Sequence, residues 1–314
     1  MNKETEPEST VSLEDRGDAR PMLSVITVNY NGLQDTCELI DSLLSHIYSV
    51  TYEIVVVDNA SRVDEATLLK KKYPQIIALR SDINLGFSGG NNLGIRNAKG
   101  DYLFLMNNDT YVRSDNFRQL IDAINQKPNI AGVSPKILFA EPGNTIQFAG
   151  FTPLTKYTLR NSIIGIDQID DGRWDTPMPT PILHGAAMLF KRSAIDVVGL
   201  MPEVYFLYYE ELDWSAAFLR AGFELWYIPS SVVYHKGSKS TGAYSTLQVF
   251  YMTRNRMLYA WRNLSVLDRW ISVIYQILIA NTKACFLFLI KRKPLLAKAS
   301  FRGVKAFLKM DKKA

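Results

Sequence analysis

Ile54-Val55-Val56-Val57 is an unbroken β-branched run with no polar position to turn towards water, so a strand built from it must be covered on both faces. That requirement points to a parallel strand inside an α/β sheet. The run, which opens at Glu53, stops on Asp58-Asn59-Ala60-Ser61, and the same design recurs on either side. Leu23–Val28 has strand composition and ends at Asn29-Tyr30-Asn31-Gly32, a turn signal, while Tyr102–Met106 ends abruptly on Asn107-Asn108-Asp109-Thr110. Helical stretches at about 34–47 and 64–72, a strand at 76–79 and a helix ending near Ala98 fill the intervals. This alternation predicts a doubly wound sheet. In such sheets ligands sit just beyond the carboxyl ends of the strands, which puts Asp58 and above all Asp109 where a hard cation and phosphate oxygens can meet.

Asn84-Leu85-Gly86-Phe87-Ser88-Gly89-Gly90-Asn91-Asn92 reads either as a backbone cradle for phosphate or as a plain loop leading into a helix. It is neither a Walker A loop, which needs Gly-Lys-Ser/Thr, nor a dinucleotide fingerprint, which follows the first strand. From Asn129 the alternation weakens, Pro, Gly and Thr become more frequent, and residues 167–172 read as an exposed loop, so this half is expected to be more irregular. Ile182–Phe190 is expected to be a strand carrying His184, followed by a short helix capped by Ser193. Leu212, Ala216 and Leu219 share a helical face, which places Glu210 and Glu211 at a helix N-terminus and Asp213 in its first turn. Acids there stabilise the helix dipole whether or not they do chemistry. Glu224–Ile228 is read as a strand, and the stretch from Val232 brings His235 to a second strand end beside Gly237. A lone histidine is ordinarily a satisfied structural residue, and His46, His184 and His235 all begin under that description.

With 314 residues and 47% apolar content the chain can bury a large core. Its formal charge of +5 is unevenly spread: residues 1–20 carry six acids against three bases, whereas 291–314 carry nine bases against one acid. The first twenty residues lack the apolar stretch of a signal peptide and read as a disordered lead-in. Cys37 and Cys285 have no metal-type spacing and are expected to be free thiols in a reducing compartment. After a helix containing Arg254-Asn255-Arg256, the segment Trp270–Ile290 is long enough to span a bilayer, but Gln276, Asn281, Thr282 and Lys283 interrupt it and favour an interfacial or packed helix. Beyond Pro294, Lys298, Arg302, Lys305 and Lys309 recur beside Ala297, Phe301, Val304 and Leu308, a basic amphipathic helix suited to an anionic membrane surface, with a solvated charged helix as the plainer alternative. No base-reading module accompanies it, so nucleic acid is not expected as a partner.

Five motifs in order, Thr27-Val28-Asn29-Tyr30-Asn31, Val57-Asp58-Asn59-Ala60-Ser61, Asn84-x-Gly86-Phe87-x-Gly89-Gly90-x-Asn92, Asn107-Asn108-Asp109 and Glu210-Glu211-x-Asp213-Trp214, resemble the inverting family 2 glycosyltransferases of the GT-A fold, closest to their rhamnosyltransferase-like branch. The resemblance covers about 22–239. It implies that Thr27, Val28 and Asn29 line the base and ribose pocket, that Asp58 contacts the nucleoside, and that Asn84, Gly90 and Asn92 shape the donor pocket. Asn107-Asn108-Asp109 stands where the family has Asp-x-Asp, with Asp109 facing a Mg2+ or Mn2+ ion and His235 completing the metal and diphosphate site. Glu211 falls at the general base, and His184, Gly185, Glu210, Asp213 and Trp214 fall on the acceptor side. Two departures stand out: Asn107 replaces the first acid of Asp-x-Asp, and Glu211 is one methylene longer than the usual Asp.

The expected organisation is a lead-in over 1–20, a GT-A domain over 21–240 with a nucleotide-binding half (21–128) and an acceptor-binding half (129–240), and a basic helical extension over 241–314. Its mixed sheet would carry helices on both faces. The function implied is transfer of a sugar, rhamnose from dTDP-rhamnose being one candidate and a UDP-linked sugar another, onto a lipid-linked or glycan acceptor at the cytoplasmic face of a bacterial membrane. A nucleotidyltransferase is the first rival, although Asn29-Tyr30-Asn31-Gly32 lacks the basic residue its phosphate loop needs. A catalytically silent nucleotide-binding protein at the membrane is the second.

Overall fold

β1 (Leu23–Asn29), β2 (Tyr52–Asn59), β3 (Ile77–Ser81) and β4 (Tyr102–Met106) lie parallel in the order β3-β2-β1-β4 in the computed structural model, which describes residues 22–237 and 245–312. The lead-in over 1–20, and Ser238 and Lys239 after the His235 strand, lie outside the described residues. Val55, Val56 and Val57 are fully buried because the sheet is covered on both sides. Alternate residues feed two cores. Val25, Val56 and Phe104 meet α1 (Leu33–His46) and α4 (Phe117–Asn125) through Leu39, Leu43, Phe117 and Ile124; Ile26, Val55 and Leu105 meet α3 (Gly86–Asn97), α5 (Arg192–Val198) and α6 (Glu210–Arg220) through Ile95, Ile195, Trp214 and Phe218. A further helix, α2 (Glu65–Lys72), follows β2.

The glycine segment is not a loop leading into a helix: α3 begins at Gly86, so most of it is helical. Gly90 and Gly94 face β1, and a Cβ on Gly94 would stand 2.4 Å from Ile26 Cγ2, one on Gly90 2.8 Å from Val28 Cγ1. These glycines let the helix backbone approach the sheet.

The second half is more regular than its composition suggests. β6 (Ile130–Phe139) and β10 (Glu224–His235) are the two longest strands among the described residues and run parallel to each other, completing a mixed sheet of order β3-β2-β1-β4-β9-β6-β10-β5 with β5 (Thr110–Tyr111) and β9 (Ala187–Lys191) antiparallel to their neighbours. Short β7 (Ile146–Phe148) and β8 (Met178–Pro179) flank β6 and β10. β6 was hidden by Gly132, Pro135 and Lys136, yet Lys136 is 3% exposed because its ammonium reaches Asp170 at 2.7 Å and also meets Asp175. That pairing ties the 167–172 loop to the sheet. The two strands expected at 224–228 and from 232 are one, with a register shift between Ile228 and Val232. β9 starts only at Ala187, leaving His184 in the preceding loop, and α5 starts at Arg192 without a side-chain cap from Ser193. The inward face of α6 is also different: Glu210, Asp213, Trp214 and Phe218 are buried, while Leu219 is exposed.

Four C-terminal helices pack on this body: α7 (Thr246–Asn263), α8 (Val266–Tyr275), α9 (Thr282–Ile290) and α10 (Pro294–Lys309), with a π turn at Gln276–Asn281 joining α8 to α9. Met257, Leu258, Val273 and Phe307 close a third core over Tyr205, Tyr209 and Leu159. The 25 residues Val266–Ile290 are long and apolar enough to cross a membrane, and Trp270, Ile274, Leu278, Phe286 and Ile290 on them are exposed. Cys37 and Cys285 are unpaired.

Replacing Gly94 by Ala should cost about 1–3 kcal/mol, because the new methyl meets Ile26 inside a packed layer. Urea denaturation measures it; a loss below about 0.5 kcal/mol would mean that α3 does not lie this close to β1.

Candidate active site

Asp109 and His235 arrive from opposite directions along the chain and meet at the end of the sheet. Asp109 follows β4, His235 closes β10, and the pairing of His235 with Thr110 sets His235 Nε2 3.1 Å from Asp109 Oδ1. Gln147 Oε1 sits 2.7 Å from His235 Nδ1 and fixes the ring, the arrangement that orients a metal-binding imidazole. Among the described residues no group of three or more His, Cys, Asp or Glu side chains could hold a metal. The pair nevertheless fits a divalent ion of the kind a diphosphate also binds: one carboxylate oxygen and one imidazole nitrogen, with the remaining positions open to phosphate oxygens. Next to it, His184 packs against Phe148 and Phe151 and lies 6.4 Å from the His235 ring. Burial, helped by His235, pushes His184 down to about 3, so it is neutral, and its Nδ1 accepts the Ala186 N–H at 3.1 Å.

The donor-side residues cluster at the neighbouring strand ends, but several use their side chains on the fold. Asn29 donates to Glu65 at 2.6 Å and accepts from Thr36 at 2.8 Å. Asp58 is fully buried, bonded to Arg80 at 2.5 Å and to the backbone N–H groups of Ser61 and Glu65. Asn84 is held by Asn59 and accepts the Gly86 N–H at 2.9 Å. Asn92, expected to shape the donor pocket, is buried and exchanges hydrogen bonds with the Met201 backbone and Glu203. It holds the loop behind the pocket. Asn108 bonds Thr36 at 3.0 Å, joining the β4 end to α1, and Asn107 donates its N–H to Ala186 O at 3.0 Å. Val28 is half-buried, and Thr27 Oγ1 is buried without a partner.

Glu210 and Glu211 open α6 after a strained turn. Phe206, Tyr208 and Tyr209 have φ of +66°, +68° and +78°, a region that side chains with a Cβ rarely occupy. The turn is held from α7: Asn255 donates to the carbonyls of Leu207 and Tyr208 at 2.8 and 2.7 Å and approaches that of Tyr205 at 3.1 Å, while Arg254 donates to Val204 O at 3.1 Å. Glu210 is buried and Glu211 half-buried, and each keeps one enclosed oxygen, Oε2, without a partner. Burial raises Glu211 to about 7; burial and then the neighbouring Glu211 charge raise Glu210. Asp213 and Trp214, expected beside the acceptor, turn inward instead. Asp213 binds Arg262 at 2.6 Å and Asn263 at 2.7 Å, and Trp214 donates to Gly199 O at 2.9 Å within a stack on Phe190 and Phe218. Sequence spacing could not show this for Asp213, because its partners lie about fifty residues away on α7.

Contacts around the rim connect the cation end to the carboxylate end. Asn107 touches Ala186, a Cβ on Gly185 would stand 3.9 Å from the Phe87 ring, and Phe87 donates its N–H to Phe206 O at 2.7 Å, four residues before Glu210. These contacts run from the Asp109 strand end to the turn that carries Glu211. Asn255 and Arg254 hold the turn that leads to Glu211, a task that nothing in the sequence marked beyond an Arg-Asn-Arg cluster on a helix.

Residues 24–199 match the family profile described as glycosyl transferase family 2. The chain is 30% identical over 245 residues to the low-salt glycan biosynthesis hexosyltransferase Agl10 of Haloferax volcanii, a similarity covering 75% of this chain and 74% of that protein. It is 25% identical over 211 residues to the N-acetylglucosaminyl-diphospho-decaprenol L-rhamnosyltransferase of Mycobacterium tuberculosis, covering 60% and 68% respectively. In fold it is similar to the mannosyltransferase PcManGT from Pyrobaculum calidifontis in complex with GDP-Man and Mn2+, with a TM-score of 0.57 at 14% identity over 93% of this chain and 88% of that one.

Asn255→Ala should lower stability by about 2–4 kcal/mol, since it leaves buried carbonyls of the turn unpaired. Guanidinium denaturation gives the stability, and proteolysis within 204–209 should appear at concentrations of denaturant that leave the sheet folded.

Proposed function

This chain belongs to glycosyl transferase family 2, and from that premise we propose that it moves a hexosyl residue with inversion from a nucleotide-diphosphate donor onto a lipid-linked or polysaccharide acceptor. L-rhamnose from dTDP-rhamnose is the favoured donor, on the strength of the rhamnosyltransferase relative. The observation that carries the proposal is the run of contacts linking the Asp109–His235 pair, through Asn107, Ala186, Gly185, Phe87 and Phe206, to the turn before Glu211; on this reading the pair and Glu211 face one donor-acceptor site.

A single inverting displacement needs two things from the protein: a counterion where diphosphate departs and a proton acceptor on the opposite side of the sugar. A Mg2+ or Mn2+ ion held by Asp109 and His235, and by the donor's own phosphates, supplies the first when bound. Thr27, Val28 and Asn29, with the turn that Asp58 and Arg80 stabilise, form the nucleotide end, and Asn84 and Gly90 bring α3 up against it. Glu211 is the proton acceptor: half-buried, with an unpartnered oxygen and a pKa raised to about 7, it is matched to a hydroxyl it must deprotonate near neutrality. Glu210 lies beneath it and is the more deeply buried of the two. His184 and Gly185 line the acceptor side of the same rim.

The exposed apolar face of 266–290 and the basic α10, where Lys298, Arg302, Lys305 and Lys309 are all exposed, support attachment to the inner face of a membrane, along its surface rather than through it. A lipid-linked acceptor would then be presented where the enzyme sits.

Glu211→Gln should reduce transfer by about 10²–10⁴-fold while keeping donor binding, measured by thermal shift with dTDP- and UDP-sugars in the presence and absence of Mn2+. If transfer survives the substitution, Glu211 is not the base; if no nucleotide sugar raises the melting temperature, the donor assignment fails. The pH dependence has a definite sign. Transfer should rise through about pH 7 as Glu211 ionises. Because the folded pKa lies above the ordinary 4.5, the protonated form favours folding, so this carboxyl's contribution to stability falls as pH climbs from about 4.5 through about 7. Glu211→Gln should therefore melt about 2 °C higher than wild type at pH 8 and show no such gain at pH 4.

A further inference from the structure

A second space lies next to Arg256, the residue that bonds Tyr209 of the strained turn. A cavity of about 490 Å3 lies among α7, the π turn, α9 and α10, and no strand contributes to its walls. Arg160 and Arg256 enter it from the side of Tyr209, Gln276 and Asn281 line its middle, and Ala284 and Phe288 of α9 form an apolar wall. Arg256 donates through Nε to the Tyr209 hydroxyl at 2.7 Å, which couples the cavity to the residue two before Glu211. The terminal nitrogens of Arg256 and the guanidinium of Arg160 have no protein partner among the described residues, and no acidic side chain lines the space. Arg160 is nevertheless fixed in place. Leu159 before it is buried at φ +51°, and the loop is tied to the helices by Ser272 and Gln276, which donate to the carbonyls of Tyr157 and Thr158 at 2.7 and 3.1 Å.

Two guanidinium groups thus line one space that no carboxylate enters, and their donor geometry suits phosphate oxygens. The rest of the cavity is shaped for something else. Phe288 and Ala284 lie on the helix whose outer side exposes Phe286, Leu287 and Ile290, so an apolar chain can pass from the cavity along α9 to a lipid phase. The volume is that of an ordinary small-molecule site, and π turns recur where helices build such sites.

We propose that this cavity holds the diphosphate end of a lipid-linked acceptor, with Arg160 and Arg256 on the phosphate oxygens and the first part of the lipid chain against Ala284 and Phe288. The inference rests on the glycosyltransferase function above and names the acceptor class and its seat. The exposed lysines and arginines of α10 are left to the bulk membrane surface, whereas the half-buried Arg256 and the exposed Arg160 at the cavity mouth select the acceptor.

The test uses the full chain in mild detergent, with geranylgeranyl diphosphate as the probe and titration calorimetry as the readout. Geranylgeranyl diphosphate should bind at least tenfold more tightly than either geranylgeraniol or inorganic pyrophosphate. Arg160→Gln, on an exposed loop, and Ala284→Trp, which fills the cavity, should each weaken it at least tenfold with an unchanged melting temperature. Equal binding of geranylgeraniol, or undiminished binding by Ala284→Trp, would overturn the proposal, as would displacement of the probe by phosphatidylglycerol at equal concentration, which would assign the arginines to ordinary headgroups. Hydrolysis of the nucleotide-sugar donor by the wild-type chain in the same preparation reports on the enzyme itself. Donor use without probe binding sinks the cavity proposal alone, and probe binding without donor use sinks the transferase function alone.

Discussion

The grip of Asn255 and Arg254 on the carbonyls of residues 204–208 is the interaction on which the proposed chemistry depends. Three side-chain-bearing residues at positive φ, each disfavoured by about 1–2 kcal/mol, would relax to an extended or helical path if left alone. Relaxation would rotate the start of α6 and carry Glu211 away from the rim. The turn keeps its shape because its carbonyls have partners only in this conformation, on a helix that arrives late in the chain. Phe206 contributes from the other side by accepting the Phe87 N–H, and Gly86, at φ +72°, has no Cβ to obstruct that approach.

The C-terminal helices are therefore more than an appendage carrying charge to a membrane. They close a core over Tyr205 and Tyr209, anchor Asp213 through Arg262 and Asn263, and fix the turn that aims the carboxylates. Anything that moves α7 or α10, including contact of the exposed apolar face with a lipid surface, acts on the same turn. Gly303 lets α10 lie directly on the Phe250 backbone of α7, the helix that holds the turn.

How much of this the sequence disclosed follows from which forces are local. Ile54–Val57 and Tyr102–Met106 announced themselves because strands covered on both faces must be apolar throughout, and the polar residues ending them marked the ligand edge. Asp109 was legible for that reason, whereas His235 was marked only by the family resemblance; the two do meet. The segment 84–92 misled because glycine serves close helix packing as readily as phosphate contact, and only the neighbouring Ile26 and Val28 decide between them. β6 was hidden by a lysine whose partners, Asp170 and Asp175, are supplied by a loop more than thirty residues away. Asp213 and Trp214 were placed on the acceptor side by the resemblance alone, and helical spacing could not show that their partners lie inside the fold. Asn255 gave no signal at all, since an asparagine in a helix is ordinary until one sees which carbonyls it reaches.

The adjacent acids at the start of α6 pose an electrostatic question that the burial difference answers. Two carboxylates in one turn cannot both ionise without strong mutual repulsion in a poorly solvated site, and burial opposes either charge. Glu210 is the more enclosed, and its pKa is raised by burial and by Glu211; Glu211 reaches the rim, where water and the positive end of the α6 dipole favour its ionised form. Both carboxyls are therefore raised, Glu210 by burial and by Glu211, and Glu211 by burial to about 7. A carboxyl of near-neutral pKa beside a more deeply buried one is the division that the proposed single displacement asks of this turn.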